Sequence, residues 1–168
     1  ECFSNLEPAS ISKIIDEMEF LVIKENNYDM CRQGDNAKIF YIIVSGACQV
    51  ILDGNPVAML GEMDIFGESA LFTDGNGESK RGATVTTVID GGDSNVQVLA
   101  LPRAKFNKLL ASGVLNEHCV NKLKAVAEQR RQENAKTLFK TQPGKPLKKQ
   151  RAQPLEEQRG KPLDAKEL

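Results

Sequence analysis

The chain has 168 residues, 40% of them apolar and 27% charged, which fits one soluble globular domain with an appendage. A net charge of −1 and an aromatic content of 5% without tryptophan argue against a nucleic acid partner. No apolar run approaches the roughly 20 residues of a membrane span, and no signal peptide is recognisable, so we expect no membrane partner. Because residue 1 is not methionine, we expect the chain to be a piece of something longer.

Histidine and cysteine usage argues against a metal site and against nucleophilic catalysis. The chain has one histidine, His118, which lies in a helical pattern. None of its four cysteines, Cys2, Cys31, Cys48 and Cys119, has C-x-x-C spacing, and three lie in apolar segments. We therefore expect reduced, buried thiols in a cytoplasmic protein that is not an enzyme and holds no metal.

The first predicted element is a helix near Pro8, which suits a first helical turn and is followed by isoleucines at helical spacing. Strand patterns then take over. We expect eight strands, at residues 20–24, 29–31, 39–45, 47–52, 57–60, 65–66, 83–88 and 96–101. Asp53-Gly54 between two apolar runs predicts a two-residue hairpin turn, because both positions of such a turn need positive φ.

After Pro102 the period becomes helical again. Phe106 marks a short helix, and a longer one carries a narrow apolar stripe that ends at Val126, beyond which the sequence is polar. The predicted fold class is α+β: an eight-stranded β jelly-roll barrel with an N-terminal helix and two C-terminal helices. The predicted division is an N-terminal helical segment, a barrel, C-terminal helices and a tail, at residues 1–19, 20–101, 102–140 and 141–168.

The C-terminal part of the chain differs in composition from the rest. Residues 137–168 hold eight basic and four acidic side chains, against 14 and 19 in residues 1–136, and they contain four of the seven prolines. A Pro-Leu pair recurs every eight residues. Since prolines at this spacing prevent a continuous helix, we interpret residues 141–168 as a flexible basic tail, with a docking peptide as the alternative.

The stretch at residues 66–71, Phe-Gly-Glu-Ser-Ala-Leu, followed by Arg81-Gly82-Ala83, has the chemistry of an anion site. Gly67 permits close approach of the backbone, and a short helix starting at Glu68 would point N–H groups outward. Arg81 can offer a planar fork to a phosphate. Because a carboxylate repels phosphate, the natural role of Glu68 is to accept a hydrogen bond from a sugar hydroxyl.

These residues closely resemble the phosphate-binding cassette of cyclic nucleotide-binding domains, above all those of cAMP- and cGMP-dependent protein kinases. The resemblance covers roughly residues 5–125. It includes Arg-Gln-Gly-Asp at residues 32–35, Phe-Tyr-Ile-Ile-Val-Ser-Gly at 40–46, Gly61 and the cassette itself. It implies a regulatory switch that binds cAMP, with cGMP as the alternative ligand, and that has no further cofactor.

The resemblance also implies roles for individual residues. Glu68 would bind the ribose 2′-hydroxyl and Arg81 the cyclic phosphate. Leu71 would be a hydrophobic latch that moves with the helix carrying Phe106, although both residues also fit a plain core role. The remaining candidates would line the ligand pocket, namely Gly67, Ser69, Ala70, Gly82 and Ala83.

Two departures from the family pattern leave an alternative open. The loop between Glu68 and Arg81 is longer than in the kinase domains and carries Asp74 and Glu78, whose charges would weaken anion binding nearby. Gly82 stands where a Thr or Ser favours cGMP, which favours cAMP here. The alternative is the same fold with a cassette that is non-responsive or has altered specificity, for cGMP or another nucleoside, and that serves as a protein-interaction module. The expected partner is a kinase catalytic domain or other effector, in cis or in trans, and Phe139 is a candidate lid over the base.

Overall fold

The computed structural model describes residue 3 and residues 6–72, 78–91 and 94–140. The elements follow the predicted order of helix, strands and two helices. They are α1 (Pro8–Asp16), β1 (Glu19–Ile23), β2 (Asp29–Cys31), β3 (Ile39–Ser45), β4 (Ala47–Leu52), β5 (Asn55–Leu60), β6 (Ile65–Phe66), a 3₁₀ turn (Glu68–Leu71), β7 (Thr84–Val88), β8 (Val96–Pro102), α2 (Arg103–Ala111) and α3 (Glu117–Lys140).

The strands form two antiparallel four-stranded sheets, with orders β1-β8-β3-β6 and β2-β7-β4-β5. Consecutive strands alternate between the sheets at most steps, as in a jelly roll, so the predicted fold class is confirmed. Small differences lie at strand ends. β7 begins at Thr84 rather than Ala83, and β5 begins two residues earlier than expected and includes Pro56. β5 is an edge strand, where a residue without an N–H group is tolerated.

The hairpin between β4 and β5 turns at Asp53-Gly54, as the sequence predicts. Leu52 pairs with Asn55, which leaves two residues in the loop. Their φ angles are 49° and 80°, the left-handed values that a type I′ turn requires. The turn sets the pairing next to it, Ile51 with Pro56, and the register then shifts between Ile51 and Val50.

Two apolar clusters hold the fold together. The first fills the sandwich between the sheets and includes Ile43, Phe66 and Val98. The second lies between the outer face of the first sheet and the helices and includes Phe40 and Leu123. None of the helices in the described part of the chain is long and apolar enough to cross a membrane.

None of the cysteines in the described part of the chain takes part in a disulfide. Cys48 and Cys119 are buried and Cys31 is half-buried. Burial raises the pKa of Cys48 to about 11, because the thiolate would lose its hydration inside the sandwich. Cys2 lies outside the described residues.

Candidate functional site

The cassette begins with a tight backbone turn at Gly67. Its φ of 74° lies in the left-handed region that favours glycine. The following residues, Glu68–Leu71, form one 3₁₀ turn, in which the N–H of Ala70 donates to the carbonyl oxygen of Gly67 at 2.9 Å. The predicted short helix is therefore present as a single turn, which follows β6 directly.

A second segment returns beside this turn and positions Arg81. The N–H of Arg81 donates to the carbonyl oxygen of Asp35 at 2.9 Å, and the N–H of Ala37 donates to that of Ser79 at 2.8 Å. The hydroxyl of Ser79 donates to the carbonyl oxygen of Ser69 at 2.7 Å. Backbone pairing thus fixes where the arginine side chain starts, and the serine ties this segment to the cassette turn.

Arg81 is 7% exposed, and its guanidinium lies against the cassette backbone. Its Nη2 donates to the carbonyl oxygen of Ile39 at 2.7 Å, and its Nη1 makes a longer bond of 3.4 Å to that of Gly67. A methyl group on Gly67 would collide with Nη1 and lie 2.9 Å from the Ile39 oxygen. The glycine is therefore required twice, by its φ angle and by the arginine packed on it.

Glu68 is also buried, at 6% exposed, and it forms an ion pair with an arginine of α3. Nη1 of Arg130 donates to Oε2 of Glu68 at 2.8 Å and to the carbonyl oxygen of Ile65 at 2.7 Å. The Arg130 side chain is 33% exposed, whereas the Glu68 side chain is 8% exposed. Since only Oε2 takes part in this bond, Oε1 is the oxygen through which the carboxylate could accept a ligand hydroxyl.

Gly82 and Ala83 follow Arg81 on the way into β7. Gly82 is exposed and Ala83 is half-buried, with its carbonyl oxygen 3.9 Å from the thiol of Cys31. A methyl group on Gly82 would lie 3.3 Å from Nδ2 of Asn134, a half-buried residue of α3. The part of α3 that carries Arg130 and Asn134 therefore lies beside the cassette, next to Glu68 and Gly82.

The end of the cassette turn packs into the apolar cluster between the first sheet and the helices. Leu71 is 4% exposed and Phe106 is 1% exposed, and both belong to the cluster between the first sheet and the helices. The ring of Phe72 contacts that of Phe106 edge to face, with centroids 5.9 Å apart. Nζ of Lys124 lies 5.6 Å from the centroid of Phe72. Both C-terminal helices therefore contact the residues that close the cassette.

Arg103, the first residue of α2, makes a further link between the cassette and the helices. Its side chain donates to the carbonyl oxygens of Ala70 and Ala37, and its N–H donates to that of Lys38 at 2.9 Å. A displacement of the cassette turn would therefore pull directly on the start of α2.

Sequence reasoning missed Arg130, Asn134 and Arg103. A signal for the first two was present, because the apolar stripe of α3 through Cys119, Leu123 and Val126 continues at the same spacing to Arg130 and Asn134. Polar residues on the inward face of a helix indicate a polar neighbour. Arg103 follows a strand and begins a helix, and its sequence context carries no comparable signal.

Some predictions lie outside the described residues. Residues 73–77, which include Asp74, are among them, as are the side chain of Phe139 and the tail at 141–168. Glu78 is described: it is exposed, and its carboxylate lies 3.8 Å from Nζ of Lys80. The positive charge of Lys80 partly compensates the negative charge of Glu78, which is the one acidic side chain of this loop that the structure describes. Within the described part of the chain, no group of three or more metal-ligating side chains is close enough to hold a metal ion.

Comparison with known proteins identifies the family. The sequence model of the cyclic nucleotide-binding domain family matches residues 25–112, which include the whole cassette and Arg81. The chain belongs to the cyclic nucleotide-binding domain family. It is similar to the cAMP-dependent protein kinase regulatory subunits of Debaryomyces hansenii, 32% identical over 68% of this chain, and Schizosaccharomyces pombe, 30% identical over 66%. The chain spans about a quarter of the length of these relatives, 24% and 25%.

Solved structures agree with this membership. The regulatory domain of Toxoplasma gondii PKA, crystallised with cAMP, is 31% identical with a TM-score of 0.53, over 64% of this chain and 39% of that chain. The catabolite activator protein of Thermus thermophilus has a TM-score of 0.63 at 22% identity, over 82% of this chain and 61% of that one, and shows the shared fold. The resemblance read from the cassette residues is thereby confirmed.

Proposed function

We propose that the chain is a sensor domain that binds a cyclic nucleotide, cAMP in preference to cGMP, and acts as a regulatory switch without enzymatic activity. The observation that carries the proposal is the burial of two opposite charges at one turn: Arg81 contacts the carbonyl of Gly67, and Glu68 follows that glycine directly. Burying charged groups costs free energy even where hydrogen bonds compensate much of it, so two buried charges at one turn mark a candidate functional site. The kinase regulatory subunits and the cAMP-bound relative supply the ligand class.

Arg81 would bind the cyclic phosphate, with the backbone of Gly67, Ser69 and Ala70 around it. The long 3.4 Å bond from Arg81 to the Gly67 carbonyl is weak and could be exchanged for a bond to a phosphate oxygen. Charge-assisted bonds from arginine to phosphate are about twice as strong as neutral ones. The 2.7 Å bond to Ile39 would hold the guanidinium in place during this exchange.

Glu68 would accept a hydrogen bond from the ribose 2′-hydroxyl through Oε1. Its Oε2 is held by Arg130, which fixes the carboxylate and compensates its charge in the buried site. Gly82 and Ala83 would lie beside the nucleoside. The same ion pair joins the ligand site to α3, so a ligand that moves Glu68 would also act on that helix.

The output of the switch would be a change in the position or stability of α2 and α3. Leu71 and Phe106 pack in one cluster, and Arg103 joins the Ala70 carbonyl to the start of α2. A ligand shifts such an equilibrium only by its difference in affinity between two arrangements, and a few kcal/mol suffices. The effector would be a kinase catalytic domain or another protein, in cis or in trans, in the cytoplasm.

Calorimetric titration with cAMP and then cGMP tests the proposal. We expect submicromolar to micromolar binding of cAMP, and an Arg81→Ala variant should bind at least about thirtyfold more weakly, since losing a desolvated charged hydrogen bond costs roughly 2–4 kcal/mol. Arg131→Ala is the matched control, because this arginine of α3 is exposed. Unchanged affinity in Arg81→Ala would overturn the site.

The second candidate function is a cassette that no longer responds to cyclic nucleotides and serves protein interaction. The closed packing of Arg81 on Gly67 is the observation in its favour, because the guanidinium already uses backbone acceptors. Absence of both heat and thermal stabilisation with cAMP and cGMP would select this alternative, since a ligand of the native state must raise its stability.

A further inference from the structure

The first strand forms an exposed edge of the first sheet. In the described part of the chain, β1 pairs with β8 on one side and with no strand on the other. Four of the five residues of β1, Glu19–Ile23, are apolar, yet the side chains of Phe20, Leu21 and Val22 are exposed. Because a strand edge presents unpaired N–H and C=O groups, an edge that is also apolar and exposed is a template for pairing with another strand.

The other edge strands that the structure describes each carry a feature that discourages such pairing. β6 has two residues, and β2 has three, with a register shift against β7. β5 contains Pro56 and has a register shift against β4. In contrast, β1 keeps one continuous register with β8 over its whole length and contains no proline. Since short length, proline and bulges are the usual protection of a sheet edge, β1 is the edge without protection.

Both faces of β1 offer apolar surface to an added strand. Leu21 and Ile23 line a cleft of about 510 Å³ at the margin of the sandwich, together with Met30 of β2. Phe20 and Val22 alternate with them and lie on the opposite face, and Phe20 is 55% exposed. A strand paired with β1 would therefore cover apolar side chains on both faces of the sheet as well as the unpaired backbone groups.

We propose that β1 pairs with β1 of a second copy of this chain, antiparallel and about a two-fold axis at Leu21. Leu21 is the midpoint of β1, so this axis places Phe20 of each copy opposite Val22 of the other. The exposed apolar strand that the edge would bind is thus supplied by the chain itself. Each copy uses its one unprotected edge, so the assembly closes as a dimer.

The charges at the two ends of β1 favour the antiparallel arrangement. Glu19 lies at the start of the strand and Lys24 follows its end. Antiparallel pairing brings Lys24 of one copy to the end that carries Glu19 in the other, whereas parallel pairing would bring the two Glu19 carboxylates together. The contact of Glu19 with Lys105 of α2 is long, at 3.6 Å, and both groups are partly or largely exposed, so this carboxylate can accept a second cation.

The pairing leaves the cassette uncovered. β1 and β6 form opposite edges of the first sheet, and the cassette turn follows β6 directly. The inference therefore goes beyond the proposed function and does not depend on it.

Sedimentation equilibrium of the full chain, without ligand, tests the proposal. We expect a dimer with a dissociation constant in the micromolar range, as for a small interface. Phe20→Lys should weaken the dimer at least about tenfold, because the two-fold axis introduces two lysines into an apolar contact. Met59→Lys is the matched control: Met59 is 54% exposed and lies on the edge strand β5, and its replacement should leave the dissociation constant unchanged. Equal melting temperatures of the two variants in dilute solution show that both are folded.

Cross-linking through introduced cysteines tests the direction of pairing. Leu21→Cys should form an intermolecular disulfide efficiently under mild oxidation, because the two sulfur atoms face each other at the axis. Glu19→Cys should not, since the two copies of residue 19 would be about 13 Å apart along the strands, four residues at about 3.3 Å each. The wild-type chain under the same oxidation is the control for its own thiols.

Three results would overturn the proposal. A wild type that stays monomeric up to about 200 μM would show that β1 does not bind a second copy, and the edge would then belong to a different partner. A dimer that Phe20→Lys and Met59→Lys weaken equally, or that neither weakens, would place the interface elsewhere. Equal cross-linking through Cys at residues 19 and 21 would exclude the antiparallel pairing.

Discussion

The two halves of α3 pack against the rest of the protein through side chains of different character, apolar in the first half and polar in the second. The first half presents Cys119 and Leu123 to the apolar cluster between the first sheet and the helices, and the second presents Arg130 and Asn134 to the cassette. The first half is therefore built to stabilise the fold, whereas the second is built to face polar groups. One continuous helix thereby joins the apolar core to the cassette turn.

This comparison predicts that the largest loss of stability follows from a change in the first half. Leu123 is fully buried, so Leu123→Ala should lower the free energy of unfolding by about 2–5 kcal/mol, through lost burial and the cavity left behind. Urea unfolding measures this loss. Gln129→Ala, at an exposed position of the same helix, should change it by less than about 0.5 kcal/mol. Equal losses in both variants would contradict the assignment of the first half to the core.

A smaller loss is expected in the second half, at Arg130. Arg130→Met removes the partner of a buried carboxylate and should cost about 1–3 kcal/mol, less than a fully buried pair because a third of the arginine side chain is exposed. Adding Glu68→Gln should recover part of this loss, because the buried group is then neutral. A double-mutant cycle in urea measures the coupling, and strictly additive losses would contradict it.

The smallest effect should come from the neighbouring arginine. Arg131 also forms an ion pair, with Glu128 at 2.9 Å, but both side chains are largely exposed. The pKa of Glu128 is lowered first by its hydrogen bond with Gln132 and then by Arg131. Because exposed pairs are screened by water and salt, Arg131→Met should leave the melting temperature unchanged within error. A shift as large as that of Arg130→Met would erase the distinction between the two faces of α3.

The contrast also shows which parts of the structure the sequence could predict. The strands and the Asp53-Gly54 turn were predictable because alternation and turn chemistry are local properties. The cassette residues Glu68 and Arg81 were recognisable by resemblance, and the structure places both at the turn that begins with Gly67. Their roles toward a ligand stay predictions.

The partners of the cassette could not be predicted in the same way. The residues after Val126 are mostly Gln, Arg, Glu and Asn, a composition typical of a solvent-exposed helix. Only the helical spacing of the preceding apolar residues, continued past Val126, indicates which of them face inward. Whether Arg130 or Arg131 faces the cassette depends on how α3 packs, which is a tertiary property. The contacts of Arg103 with Ala70 and Ala37 likewise join segments more than 30 residues apart, at 33 and 66.

Hydrogen exchange of the full chain, with and without cAMP, tests the central claim most directly, because that claim is that one ligand acts on the cassette and on α3 together. We predict that cAMP slows exchange of the amides at residues 66–71 and, in the same titration, changes exchange at residues 128–136. The change should be smaller in the first half of α3, which is packed in the apolar cluster. Exchange that is unaltered at the cassette, or altered there while residues 128–136 stay the same at saturation, would contradict the account.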